Sequence, residues 1–343
     1  MKTAPGLDIF LPGPESLFMK KIIASFLVIL LSMFFSAREL FGQTAVKKGD
    51  ARAAAPANAA PKIEETVYPP GATVGLLILI PAGEFMMGCR GAGFNQNRNN
   101  QQQDRRDNLD PGYADRQCQE DENPYHRVWL DAYYIDKFEV TVDQYARCAR
   151  AGKCQEPGAV GYCIWGQPGK GDHPVTCVDW NQAGAYCGWT GKRLPTEAEW
   201  EKAARGPEGR IYPWGDRFDC HRGNFDDEKD RDPDSIPGGP DCDGYKTTAP
   251  VGHFPAGASP YGVMDMAGNV WEWVSDWYGD NYYRDSTSRN PSGPPGGTVR
   301  VLRGGGWYSD APFILRTSRR GWADPNYQGD HYGFRCARDA KNN

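Results

Sequence analysis

Several features are missing from this 343-residue sequence, and each absence removes a class of protein. It has no Gly-x-Ser-x-Gly elbow, no P-loop and no Rossmann fingerprint, so hydrolase, nucleotide-binding and dehydrogenase readings have no support. There are only five histidines (His126, His173, His221, His253 and His331), and none stands at HxxxH or HxxE spacing, which removes the usual helical seat for non-haem iron. Basic residues are not in surplus: 39 Lys and Arg face 44 Asp and Glu, and a net charge of −5 leaves no electrostatic footprint for nucleic acid. No CxxC pair occurs, which argues against zinc-ribbon and thioredoxin chemistry. No repeat of fixed period is found.

What the chain does contain is glycine, proline, tryptophan and cysteine. Gly 41 and Pro 27 point to a loop-rich globule, and 11 Trp supply large rings that can anchor irregular connections. The ten cysteines are even in number and lie between Cys89 and Cys336, the pattern of a disulfide framework if the chain leaves the cytosol.

The N-terminal residues supply that compartment. Met1 to Phe18 is interrupted by prolines and acids, but Met19 opens a better leader. Lys20 and Lys21 form a positive segment, followed by an apolar run from Ile22 to Ala37 that is too short for a comfortable membrane span. We expect a signal peptide over residues 1–42 with its true start at Met19 and cleavage between Ala37 and Gln43. No cysteine is there to take a lipid anchor. The mature chain is then secreted or periplasmic and does not span a membrane. Residues 43–73 read as an Ala/Pro-rich tether, and 74–343 as the folded domain, with a polar insertion at about 91–121.

Three capping boxes predict three helix starts: Thr141 with Gln144, Asp179 with Gln182, and Thr196 with Glu199. Gly152, then Gly188 or Gly191, then Gly206 supply the stops. Leu76–Ile80 reads as a buried strand, while Val251–Phe254, Val299–Leu302 and Gly333–Ala337 read as brief strands among turns. Helices followed by irregular strands predict an α+β fold.

Seven segments then fall in an order that resembles one known family. They are Ile80–Gly88 (IPAGEFMMG), Tyr134–Thr141 (YIDKFEVT), Gly191–Trp200 (GKRLPTEAEW), Tyr212–Gly215 (YPWG), Gly268–Trp273 (GNVWEW), Arg303–Gly306 (RGGG) and Gly333–Cys336 (GFRC). Together they resemble the formylglycine-generating-enzyme (sulfatase-modifying factor) family over Leu76–Asp339. The resemblance implies a single C-type-lectin-like α+β domain, low in regular secondary structure and stapled by disulfides. It pairs Cys187 with Cys336, which would close a long loop and stabilise by several kcal/mol in the chain-entropy model. Proximity and parity favour Cys89 with Cys118, Cys148 with Cys154, Cys163 with Cys177, and Cys220 with Cys242, although sequence alone leaves the connectivity open.

The family's oxidase uses two cysteines, five residues apart, to bind copper(I) after the Arg-Gly-Gly motif. The matching positions here are Ser309 and Ile314, and neither a hydroxyl nor an alkyl group replaces a thiolate on a soft metal, so no copper is expected. Gly306 also stands where the oxidase usually has serine. The resemblance implies two calcium sites instead, built from the hard oxygen donors calcium takes. One would use the side chains of Asn224 and Asp243 and the carbonyls of Phe225 and Tyr245. The other would use the side chains of Asp265 and Glu272 and the carbonyls of Gly268 and Val270.

Two functions follow. The first is a binding or assembly module gripping a peptide or cell-surface protein through Trp307, Tyr308, Ser309, Arg316, Trp322 and His331. The second is an oxidoreductase of altered mechanism, with a redox centre built from His331, Tyr308 and Ser309. Trp271, Trp273 and Trp277 are expected to pack in the core, and Arg316, Arg319 and Arg320 either meet an acidic partner or form a solvated face.

Overall fold

Each of the three capping boxes forms, and each starts a helix. In the computed structural model, which describes residues 63–66, 75–91, 117–159, 161–226 and 242–340, α1 (Val142–Arg150), α2 (Trp180–Trp189) and α3 (Glu197–Arg205) begin after Thr141, Asp179 and Thr196. At each start the cap side chain accepts from the backbone N–H three residues on, and the Gln or Glu there reaches back to the cap. At the second helix Gly191, rather than Gly188, takes the left-handed conformation past the C-terminus.

Helix α3 is the most enclosed, with all nine residues buried despite five being charged. Those charges are paired or hydrogen-bonded. Glu197 meets Arg320, Glu201 meets Arg303 and Arg205, and the Lys202 ammonium donates to the carbonyls of Pro81 and Gly83. Around the helix pack Phe85, Val128, Tyr133, Val274 and Val301, with Trp200 from α3 itself in the same cluster. A second cluster joins Tyr145 of α1 and Tyr186 of α2 to Trp273 and Phe334.

The strands form three small sheets. Strands β1 (Ile63–Thr66), β2 (Gly75–Ile80), β5 (Tyr133–Asp136) and β10 (Ala337–Asp339) lie side by side in that order, all antiparallel. Strands β3 (Gly83–Met87) and β4 (His126–Leu130) pair as a two-stranded ribbon. The third sheet runs β8 (Arg320–Ala323), β7 (Arg300–Arg303), β6 (Trp271–Trp277), β9 (Tyr332–Phe334), with β6 and β9 parallel. Regular structure is sparse and mixed, as an α+β domain of this type requires.

Three local readings change. β1 pairs with β2, so the first sheet begins at Ile63, inside the stretch that composition assigned to the tether. Val251–Phe254 turns instead of extending: Gly252 adopts φ +75°, and its N–H goes to the Asp265 carboxylate, not to a neighbouring strand. Gly333–Ala337 is two strands, because the chain leaves β6 after Phe334 and joins β5 from Ala337. Trp273 is buried, while Trp271 and Trp277 are half-buried and Trp277 stacks under the Arg300 guanidinium at 3.4 Å. The leader, Met19, the rest of the tether and residues 92–116 of the polar insertion lie outside the described residues. The described residues make one compact unit. No helix among the described residues is long and apolar enough to cross a membrane.

Candidate functional site

All ten cysteines are consumed in five disulfides: Cys89–Cys118, Cys148–Cys154, Cys163–Cys177, Cys187–Cys336 and Cys220–Cys242. These are the pairings expected above, and no free cysteine remains. Beyond the glycine run, Ser309 is buried and its Oγ accepts from the Gly306 N–H at 3.0 Å, closing a tight turn. Ile314 lies five residues on, within the short 3-10 turn Pro312–Leu315.

The residues assigned to the first calcium site come together. Asp243 accepts from the backbone N–H of Phe225 at 2.6 Å and of Tyr245 at 2.7 Å, which folds 224–226 against 242–245. Asn224 is buried, and its Nδ2 donates to the Thr247 carbonyl and to Asn269 Oδ1 at 2.8 and 3.0 Å. Its Oδ1 has no hydrogen-bond partner. A buried acceptor in that state fits an oxygen held for a hard cation.

The second set lies on the loop leading into β6. Asp265 and Asn269 adopt left-handed backbone at φ +58° and +62°, with Gly268 between them at +89°. Gly268 has no room for a side chain, since a Cβ there would sit 2.4 Å from the Asn224 carbonyl oxygen. The loop is pinned by Gly268 N–H to the Gly304 carbonyl and by Trp307 N–H to the Asn269 carbonyl. Glu272 and buried Val270 flank it, but the Glu272 carboxylate is engaged on both oxygens. Arg335 clasps it at 2.7 Å through Nε and 2.7 Å through Nη2, and Trp200 Nε1 donates at 2.9 Å.

Beside this loop sits Glu139, which the sequence reading did not single out. It is buried, its Oε2 accepts from Asn269 Nδ2 at 2.9 Å, and its Oε1 has no partner. Burial, with the Asp265 and Glu272 charges nearby, holds its carboxyl well above the usual range. Burial likewise lifts Asp265 to about 6, against the Gly252 N–H and Arg335. The signal available in the sequence was an acid within the Tyr134–Thr141 motif.

The expected partner surface is only partly assembled. Trp307, Tyr308 and His331 meet: Tyr308 lies 5.7 Å from the Trp307 ring and 6.0 Å from His331, which also pairs with Asp330. Tyr162 joins them edge-on to Trp307 at 5.5 Å, and Tyr332 packs on His331 at 4.4 Å. Tyr162 and Tyr308 are 64% and 58% exposed, whereas Trp307 is largely buried. Trp322 is also exposed but packs against Tyr278, apart from these rings. Arg316 does not belong to the surface. It is 1% exposed and forks onto Glu122, with its remaining N–H groups on Ser318 and the Gln117 and Phe313 carbonyls. Arg320 is buried on Glu197 in the same way.

The fold is a disulfide-stapled α+β domain with little regular secondary structure. A family profile described as the sulfatase-modifying factor enzyme 1-like domain matches residues 64–340, and the chain belongs to that family. It is similar to the formylglycine-generating enzyme of Streptomyces coelicolor, 42% identical over 184 residues, covering 50% of this chain and 54% of that protein. It is also similar to the mouse (Mus musculus) inactive C-alpha-formylglycine-generating enzyme 2, 41% identical over 173 residues and 49% of each chain. The chain thus spans about half the length of these curated relatives. Among solved structures, PvdO from Pseudomonas aeruginosa superposes with a TM-score of 0.62 at 27% identity, over 82% of this chain and 100% of that one.

Proposed function

We propose that this protein is a secreted or periplasmic binding or assembly module, stabilised by calcium, on a scaffold whose copper chemistry has been lost. The observation that carries this reading is the cysteine count: all ten are in disulfides, so no thiol remains to ligate copper(I). At the positions that the resemblance matches to the copper-binding cysteines, Ser309 closes a backbone turn and Ile314 lies in a short 3-10 segment. That a mouse relative is named as inactive supports the same direction.

Asn224, Asp243 and Asp265 would hold the cations, together with the carbonyls of Phe225, Tyr245, Gly268 and Val270. Calcium there would supply positive charge to buried oxygens and tie 224–226 and 242–245 to the loop 265–272. The apolar leader supports export, and the disulfides suit an oxidising compartment. The ligand-gripping face in this reading is the ring cluster of Tyr162, Trp307, Tyr308, His331 and Tyr332, with Trp322 a separate exposed anchor; rings presented this way favour a peptide or cell-surface protein.

The test is an oxidation assay on a cysteine-containing sulfatase peptide with copper(I) and oxygen, read as aldehyde by hydrazone capture. We expect no aldehyde above the rate without protein. Multiple turnovers would overturn the proposal and return the chain to the oxidases.

A further inference from the structure

We propose that the Cys89–Cys118 disulfide is an exchange site for a low-molecular-weight thiol, at which the incoming sulfur takes Cys118 and Cys89 leaves as a thiolate held against the Arg316 guanidinium. The inference goes beyond the binding-module reading and uses none of its cation or ring residues.

The two sulfurs of this bridge are not equivalent. Cys89 is 1% exposed, and its backbone N–H donates to the Glu122 carbonyl at 2.9 Å, so it is fixed inside the fold. Cys118 is half-buried, and a small external thiolate approaches from its side. Attack on Cys118 makes Cys89 the leaving group, and exchange runs faster the better the leaving sulfur carries negative charge. A neighbouring guanidinium gives that help. Arg316 Nη1 lies 3.1 Å from Cys89 Sγ, within hydrogen-bonding reach of sulfur.

The local charge balance leaves room for the thiolate. Glu122 has a carboxylate oxygen within 4.8 Å of both sulfurs, and on its own it would oppose a negative charge there. Two guanidiniums meet this one carboxylate, however, Arg316 at 2.5 Å and Arg319 at 3.6 Å. A Cys89 thiolate brings the count to two against two, in an interior where an unbalanced charge is costly. Arg316 is also held in place. It forks onto Glu122 and gives further N–H bonds to Ser318 and to the carbonyls of Gln117 and Phe313. The cation therefore stands beside the sulfur before the charge develops.

The step balances. The incoming thiol gives its proton to water and bonds through sulfur to Cys118, while the Cys89–Cys118 bond breaks and Cys89 keeps the electron pair. A second equivalent of thiol releases the first as its own disulfide and leaves both cysteines reduced, so the thiol is the reductant.

Incubation of the full, oxidised chain with graded reduced glutathione tests this, followed by acid quench, alkylation in denaturant and peptide mapping by mass spectrometry. Glutathione should appear on Cys118 and the alkyl label on Cys89, at about tenfold less thiol than any other bridge requires. Arg319→Gln removes one of the two cations and leaves Arg316 in place. It should slow this exchange several-fold while the other four bridges keep their rates. Glutathione on Cys89 overturns the inference. So does earlier opening of another bridge, such as Cys220–Cys242, where Cys242 is half-buried and His221 Nε2 lies 3.6 Å away. An unchanged rate in Arg319→Gln overturns it as well.

Discussion

Asp276 carries the clearest pH signature at the scale of single residues. It is buried, and accepts from the Glu197 N–H at 2.9 Å and from the Ser275 hydroxyl. Burial, reinforced by the Glu197 charge, raises its carboxyl to about 7. The unfolded carboxyl titrates near 4, so between about pH 4 and 7 the folded state holds a proton that the unfolded state has lost. This group's contribution to stability therefore falls as pH rises through that window. Asp276→Asn, which keeps an acceptor for Glu197 and has no proton to lose, should flatten the slope; urea melts at pH values on either side check it, and an unchanged slope would assign the effect elsewhere. Arg316 shows what is hidden at this scale. Arg316, Arg319 and Arg320 read locally as a charged face, but the partner of Arg316 is Glu122, 194 residues away, and no local pattern announces such a pairing.

At the scale of elements, the helices were legible and the strands less so. A capping box is a contact over three residues, so Thr141, Asp179 and Thr196 state their structure locally. A short strand is defined by partners far along the chain, and Val251–Phe254 had apolar residues but no edge to join. Helix α3 was legible as a helix but not as a buried one, since Glu197, Glu201, Lys202 and Arg205 give it a solvated appearance. Its burial depends on Arg303 of β7, whose Nη2 donates to Glu201 at 2.6 Å and to the Thr317 carbonyl at 2.6 Å. Arg303→Ala leaves Glu197 and Glu201 short of a counter-charge in an enclosed site. We expect a loss of about 3–5 kcal/mol, read as a lower urea midpoint. A loss under 1 kcal/mol would mean that water reaches the helix in solution.

At the scale of the molecule, the order of motifs made the family legible, the resemblance implied Cys187 with Cys336, and parity and proximity gave the other four disulfides. The buried polar cluster around Asn269 was legible only in part: Glu139 and Asn269 stand 130 residues apart, and their meeting is a product of the completed fold. The Cys187–Cys336 bridge closes a separation of 149 residues and joins α2 to the link between β9 and β10. In the chain-entropy model a loop of that length contributes about 5 kcal/mol. Replacing both cysteines by serine should lower the thermal midpoint by roughly 10 °C, and a shift of a degree or two would show that packing alone holds these elements.

The most direct measurement is elemental analysis by mass spectrometry of the chain from about Gln43, folded under oxidising conditions and dialysed. The account predicts close to two calcium ions per chain with neither copper nor iron, and a thermal midpoint that falls when a chelator removes the calcium. Stoichiometric copper or iron, or a calcium-free chain of undiminished stability, would contradict it.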